Sequence, residues 1–264
     1  MCVYLCGYIC MLYYYNNNER RIMSKILKSD LLRFIDLIKL KGEIESKSVI
    51  LNINDNTIEA PFVVPESRVL SACGSVKGDT ITKVGEVCIV DLKQFRNYVN
   101  TFNSDVINMV KKSNKLELTA DEEKLKISMV LLDPQYLIAS MPKNKTFKDL
   151  LSYVPDNKFT FNKEQVQKFV KYTSVLTPSY VYFEGKDNIV TLKLSASENK
   201  LSTSFTIPET VKPFKIKLSN FFIDLLSIID DNITISTEAE QPVYIKYHNE
   251  NFDMEYILAS LKME

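Results

Sequence analysis

Few residues in this sequence are suited to chemistry, and they are poorly grouped. The single histidine, His248, ends an alternating run with no Ser or Cys suggested beside it, so it lacks a nucleophile to activate. Asp230-Asp231 falls where a helix gives way to a turn, and Asp121-Glu122-Glu123 reads as a hairpin tip. Both are ordinary places for solvated carboxylates. Neither brings the further oxygen ligands that a cation site needs. Gly74-Ser75-Val76-Lys77-Gly78 lacks the spacing of a phosphate-cradling loop, and the chain holds only six glycines from which to build another. Five cysteines show neither a zinc spacing nor a paired framework, and Cys73 and Cys88 read as small reduced hydrophobes. No catalytic residue, metal or cofactor is expected.

What remains is positive charge on helix faces. Lys and Arg together number 33, as do Asp and Glu. Bulk charge therefore does not hold this chain on nucleic acid, whereas a basic face balanced by acid elsewhere would. Four amphipathic stretches carry the candidates. Lys93 and Arg96 share a face with Asn97 and Asn100, and Lys163, Lys168 and Lys171 form a second stripe interrupted by Glu164. Arg33 and Lys39 flank Asp36 in the first stretch, while the fourth has no base and carries Asp224. Contacts of this kind with phosphates carry no sequence information.

The elements that position these residues repeat. Ile50–Val64, Leu116–Val130, Tyr180–Leu194 and Ile233–Tyr247 each alternate apolar and polar residues, turn through polar residues, and alternate again. Before them, a short strand-like run leads through a capping residue (Ser29, Asp91, Asn162 and Ser219) into an amphipathic helix. Gln94 and Gln165 stand three residues after Asp91 and Asn162, the spacing of a capping box. Apolar stripes run along the first helix at Leu31, Leu32, Ile35 and Ile38, the third at Val166, Phe169 and Val170, and the fourth at Phe222, Leu225, Leu226 and Ile229. A stripe of this width must bury against a sheet. Further strands follow at Ser202–Ile207 and at Phe252, Met254, Tyr256 and Leu258. Between the second helix and its hairpin, Ser104–Ser113 is an insertion that reads as either helix or loop.

Residues 142–157 lie halfway between the repeats. Two prolines and several charges mark them as a linker. The apolar group Phe147, Leu150, Leu151, Tyr153 and Val154 within them must pack on something. The expected domains are Met23–Met141 and Lys158–Glu264. Residues 1–22, with the apolar start MCVYLCGYICMLYYY, read as an extension outside the fold. That run is shorter than the roughly 20 residues of a membrane-spanning helix, which makes a membrane partner an unfavoured alternative.

Two domains, each of two strand–helix–three-strand units, resemble the DNA sliding-clamp family. The resemblance covers nearly everything from Met23 to Glu264 and is one of layout, with no short diagnostic motif. It implies an α+β sliding-clamp fold with helices lining a ring interior and sheets outside. The chain length from Met23 suits the two-domain subunits that close as homotrimers, and the loose match leans toward a viral clamp. The resemblance further implies a processivity factor at intracellular replication sites. Such a subunit has duplex DNA, a DNA polymerase, an ATP-dependent clamp loader and copies of itself as partners. On this reading Arg33, Lys39, Lys93, Arg96, Lys163, Lys168 and Lys171 meet DNA. Phe147, Leu150, Leu151, Tyr153 and Val154, with Ile257 and Leu258, form a pocket for client peptides. The alternatives are a monomeric processivity factor of the same fold and a membrane-anchored scaffold. A transcription cofactor role would leave the structure unchanged.

Overall fold

The computed structural model describes residues 23–63, 70–140, 154–176, 178–196, 198–238 and 241–262. The first unit is β1 (Ser24–Leu27), α1 (Lys28–Lys39), β2 (Val49–Asn54), β3 (Thr57–Val63) and β4 (Leu70–Lys77). The second is β5 (Gly85–Ile89), α2 (Leu92–Thr101), β6 (Val106–Lys112), β7 (Lys115–Thr119) and β8 (Lys126–Val130), followed by a short helix α3 (Pro134–Ser140). The second half of the chain holds β9 (Lys158–Phe161), α4 (Lys163–Leu176), β10 (Tyr180–Ala196) and β11 (Asn199–Ser219). It closes with α5 (Phe221–Ile229), β12 (Ile233–Ser236), β13 (Val243–His248) and β14 (Phe252–Leu258).

Among the described residues all pairing is antiparallel. One sheet has the order β1-β6-β7-β8, β10 pairs with β11, and an eight-stranded sheet runs β5-β2-β3-β4-β14-β13-β12-β9. The last of these joins the two halves of the chain through β4 and β14, in register from Phe252↔Val76 to Leu258↔Leu70. Gly74 makes that seam possible: a Cβ there would lie 2.2 Å from Sδ of Met254 and 2.8 Å from the carbonyl oxygen of Asp253.

Four strand–helix–three-strand units are present once β10 and β11 are followed along their length. Glu184 and Lys193 form an ion pair although nine residues separate them. In straight strand that separation is about 30 Å. The strand therefore folds back between them, at the irregular pairing around Gly185, Asp187 and Ile189, where Asp187 takes a φ of 56°. The third hairpin expected from the sequence thus lies inside β10. In the second unit the expected register is off by one strand. Residues 104–113 are neither helix nor loop: they supply β6, which pairs with β1, and Leu116–Val130 covers the second and third strands, β7 and β8.

Two of the four expected caps form. Asp91 accepts from the backbone N–H of Gln94 at 2.8 Å. Asn162 and Gln165 satisfy each other's backbone amides, both at 2.9 Å, in a complete capping box. The other two are corrections. Helix α1 starts one residue before Ser29, with Leu27 at its N-cap and no side-chain cap. Helix α5 is entered through Asn220, while Ser219 ends β11 with its hydroxyl buried and unpartnered.

The helices bury the stripes read from the sequence. Leu31, Ile35 and Ile38 of α1 are fully buried, joined by Phe34 and Leu37, whereas Leu32 is only half-buried. Under α4 and α5, Phe169 stacks on Phe183 at 5.7 Å, and Phe222 meets both rings edge-on at 5.5 and 5.2 Å. Each such pair contributes about 0.5–1.5 kcal/mol beyond its buried area. This cluster fixes both helices on β10 and decides which of their faces stays outside.

Candidate nucleic-acid face and partner groove

The face of the helices turned away from the sheets carries the cations, but most of them are engaged. Asp36 on α1 takes a bidentate pair from Arg96 on α2, at 2.6 Å from Nε and 2.9 Å from Nη2. The hydrogen bonds to Asp36 hold the Arg96 guanidinium above its ordinary pKa, against partial burial. Lys39 pairs with Glu45 at 2.7 Å, and Lys168 with Glu164 one helical turn away, also at 2.7 Å. Arg33 donates to the carbonyl oxygens of Ile228 and Ile229 at the C-terminal end of α5. Its guanidinium carbon lies 6.0 Å from the centre of the Tyr247 ring. These four therefore already have partners within the chain. Lys93, Lys163 and Lys171 are exposed and make no ion pair among the described residues. They sit on α2 and α4.

The same ties order the helices. Asp36–Arg96 joins α1 to α2, Arg33 joins α1 to α5, and Gln167 of α4 donates to Asp230 at the end of α5 at 3.0 Å. The layer runs α2–α1–α5–α4, with its uncommitted lysines on the two outer helices. The middle pair contributes the acids Asp30 and Asp224. Asp30 is itself held above its ordinary pKa by partial burial.

On the opposite face of the eight-stranded sheet, the period of two along β13 and β14 presents Tyr244, Lys246 and His248 beside Ile257, Glu255 and Asp253. Tyr244 and Ile257 form a small apolar cluster separate from the core, with Phe62 and Cys73 packed against it. Burial and the neighbouring Glu255 push the Cys73 thiol up to about 12. A cleft of about 380 Å³ opens beside Tyr244, lined on its other side by Val154 and Pro155.

Of the residues expected in a peptide pocket, Val154 and Ile257 thus converge on Tyr244 from two sides. Leu258 does not. It is fully buried on the core face of β14, because adjacent residues of a strand point to opposite faces. Phe147, Leu150, Leu151 and Tyr153 lie outside the described residues. Sequence reasoning missed Tyr244 and Lys158. Tyr244 had a signal in the alternation of β13, but Lys158 joins the groove only through the β9–β12–β13 register. Among the described residues no group of three or more His, Cys, Asp or Glu gathers to hold a metal, and no helix is long and apolar enough to cross a membrane.

A single helix layer packed on antiparallel sheets, with the two halves of the chain fused through one long sheet, defines the sliding-clamp fold. Solved structures with that fold bear this out. A. fulgidus PCNA with the C-terminal region of FEN-1 bound superimposes with a TM-score of 0.74 at 14% identity, over 92% of this chain and 99% of that one. Proliferating Cellular Nuclear Antigen from Entamoeba histolytica gives 0.71 at 14% identity, with the same shares covered. PCNA from Thermococcus kodakaraensis gives 0.71 at 17% identity, over 91% of this chain and 99% of that one. Neither a family model nor a curated protein matches the sequence.

Proposed function

We propose that this chain is a non-catalytic subunit of a homotrimeric ring that encircles duplex DNA and tethers a DNA polymerase to it. The observation that carries the reading is the combination of one helix layer with apolar-flanked strand edges in each half of the chain, β8 in the first and the outer stretch of β11 in the second. Among the described residues β8 pairs only with β7, and the stretch of β11 from Asn199 to Thr206 pairs only with β10. Ile127 and Met129 on the first edge and Leu201 on the second are apolar, half-buried and packed at the margin of the core. Exposed edges are a hazard that proteins usually cover, and mutual pairing between copies would cover both. The layout supports domains at Met23–Met141 and Lys158–Glu264 joined by a linker at 142–157.

The helix layer then faces the DNA. Three uncommitted lysines per copy give weak phosphate contact, which suits sliding and is too little for electrostatic holding by a monomer. Client peptides dock on the outer face beside Tyr244, Ile257 and Val154, by apolar anchors entering a groove. A closed ring requires a clamp loader, and the protein works wherever its polymerase replicates, inside the cell.

The test is retention on circular DNA. Protein loaded onto nicked circular duplex is expected to stay bound through a salt wash and to leave when the circle is linearised. Equal loss from circles and linear DNA would refute encirclement.

A further inference from the structure

The outer groove does not end at the apolar cleft. A second cleft of about 380 Å³ continues it across β9, β12 and β13, and the two share Lys158, Thr234 and Lys246. Their chemistry differs. The first is lined by Tyr244, Val154 and Pro155 together with Asp156 and Glu255. The second adds Thr160, Asn232, Ile233 and His248, and among the described residues no carboxylate lines it.

The registers Lys246↔Thr234, Thr234↔Thr160 and Ser236↔Lys158 show why. Hydroxyl-bearing residues floor the trench between Lys246 on one side and Lys158 on the other. The acids nearest Lys246, Asp253 at 3.3 Å and Glu255 at 3.4 Å, approach it from β14, on the side away from the trench. His248 also leans on Asp253, at 3.6 Å. Lys158 is exposed and has no ion pair among the described residues. The trench therefore offers hydroxyls, the Lys158 ammonium with no ion pair among the described residues, and Lys246, whose acids Asp253 and Glu255 reach it from outside the trench.

We propose that the client segment docking here carries an Asp or Glu two or three residues from its apolar anchor, and that this carboxylate lies in the second cleft against Lys158 and Lys246. The spacing follows from the sheet. Tyr244 and Lys246 are two residues apart along β13, about 7 Å. Lys158 lies two strands away from Tyr244, about 10 Å. An extended peptide advances about 3.3 Å per residue, so it spans either distance in two or three residues. The inference rests on the reading of this face as a peptide-docking surface, and adds the chemistry that selects the peptide.

The test uses the full chain and labelled synthetic peptides with a Phe-Phe anchor, followed or preceded at two and three residues by Asp. Matched peptides carry Asn instead, and binding is read by fluorescence anisotropy. At least one acidic spacing is expected to bind about fivefold more tightly than its amide twin, the scale of one partly exposed charge-assisted hydrogen bond. The preference should vanish in Lys158→Ala, persist in Lys158→Arg, and shrink at high salt. Tyr244→Ala should weaken acidic and amide peptides alike. Equal binding of acid and amide, or a preference untouched by Lys158→Ala, would overturn the inference and leave peptide docking standing. Failure of every peptide to bind, with no effect of Tyr244→Ala, would overturn both.

Discussion

Arg33 on the first helix caps the end of the last one, its guanidinium donating to the carbonyl oxygens of Ile228 at 2.7 Å and of Ile229. The last carbonyls of a helix have no partner within it and carry its partial negative charge. A cation supplied from 195 residues away thus closes α5 and joins the two halves of the chain on the helix side. Tyr256 does the same from the sheet side, its hydroxyl donating to the carbonyl oxygen of Leu37 at 3.2 Å. Arg33→Ala is expected to cost about 1.5–3 kcal/mol, the scale of hydrogen bonds from a charged donor. Urea unfolding would measure it. DNA retention by the folded fraction should be unchanged, and a large loss of retention with normal stability would put Arg33 back on the DNA face.

The uncommitted lysines give a second prediction. Replacing Lys93, Lys163 and Lys171 by Ala should lower the slope of log affinity against log salt by about 1 for each phosphate that is no longer neutralised. These side chains are exposed, so the thermal midpoint should barely move. Arg96→Ala should behave differently, leaving Asp36 without its bidentate partner and loosening α1 from α2. An unchanged salt slope in the triple variant would place the DNA-binding face elsewhere.

Much of this was legible in the sequence, for reasons visible in particular residues. Phe222, Leu225, Leu226 and Ile229 all lie in the core, because a helix on a sheet has one way to bury such a stripe. Asn162 and Gln165 form their box because a cap needs only neighbours in sequence. What the sequence could not show depended on distant partners. Nothing near Arg96 reveals that Asp36, sixty residues earlier, will take its charge. Nothing near Arg33 points to Ile229. Leu258 was misplaced for a different reason: its neighbour Ile257 is also apolar, so alternation alone did not say which one faces the core.

The free edges predict association. Ser204→Pro within β11 removes a backbone donor at the expected junction. Val130→Asp on β8 places a charge where an exposed valine stands, 65% accessible in the isolated chain. Light scattering of the unaltered protein over a range of concentrations should give a threefold mass that falls on dilution. Either variant should run as a monomer with its fold intact by circular dichroism. A persistent monomer in the unaltered protein would favour an open processivity factor.

Acid should loosen the β8 edge through Glu117. This carboxylate on β7 accepts from Lys112 of β6 at 2.6 Å and Lys126 of β8 at 2.8 Å. Those two hydrogen bonds pull its pKa down to about 2 from an ordinary 4.5. A depressed carboxylate pKa stabilises the fold fully above its unfolded value, and the effect fades as pH falls toward the folded one. The window is therefore between about pH 4.5 and pH 2. Thermal melts of the unaltered protein should fall more steeply across that window than those of Glu117→Gln. Glu117→Gln should be the less stable at pH 7 and should converge with the unaltered protein near pH 2. Parallel curves throughout would show that the two lysines are held there by something other than this carboxylate.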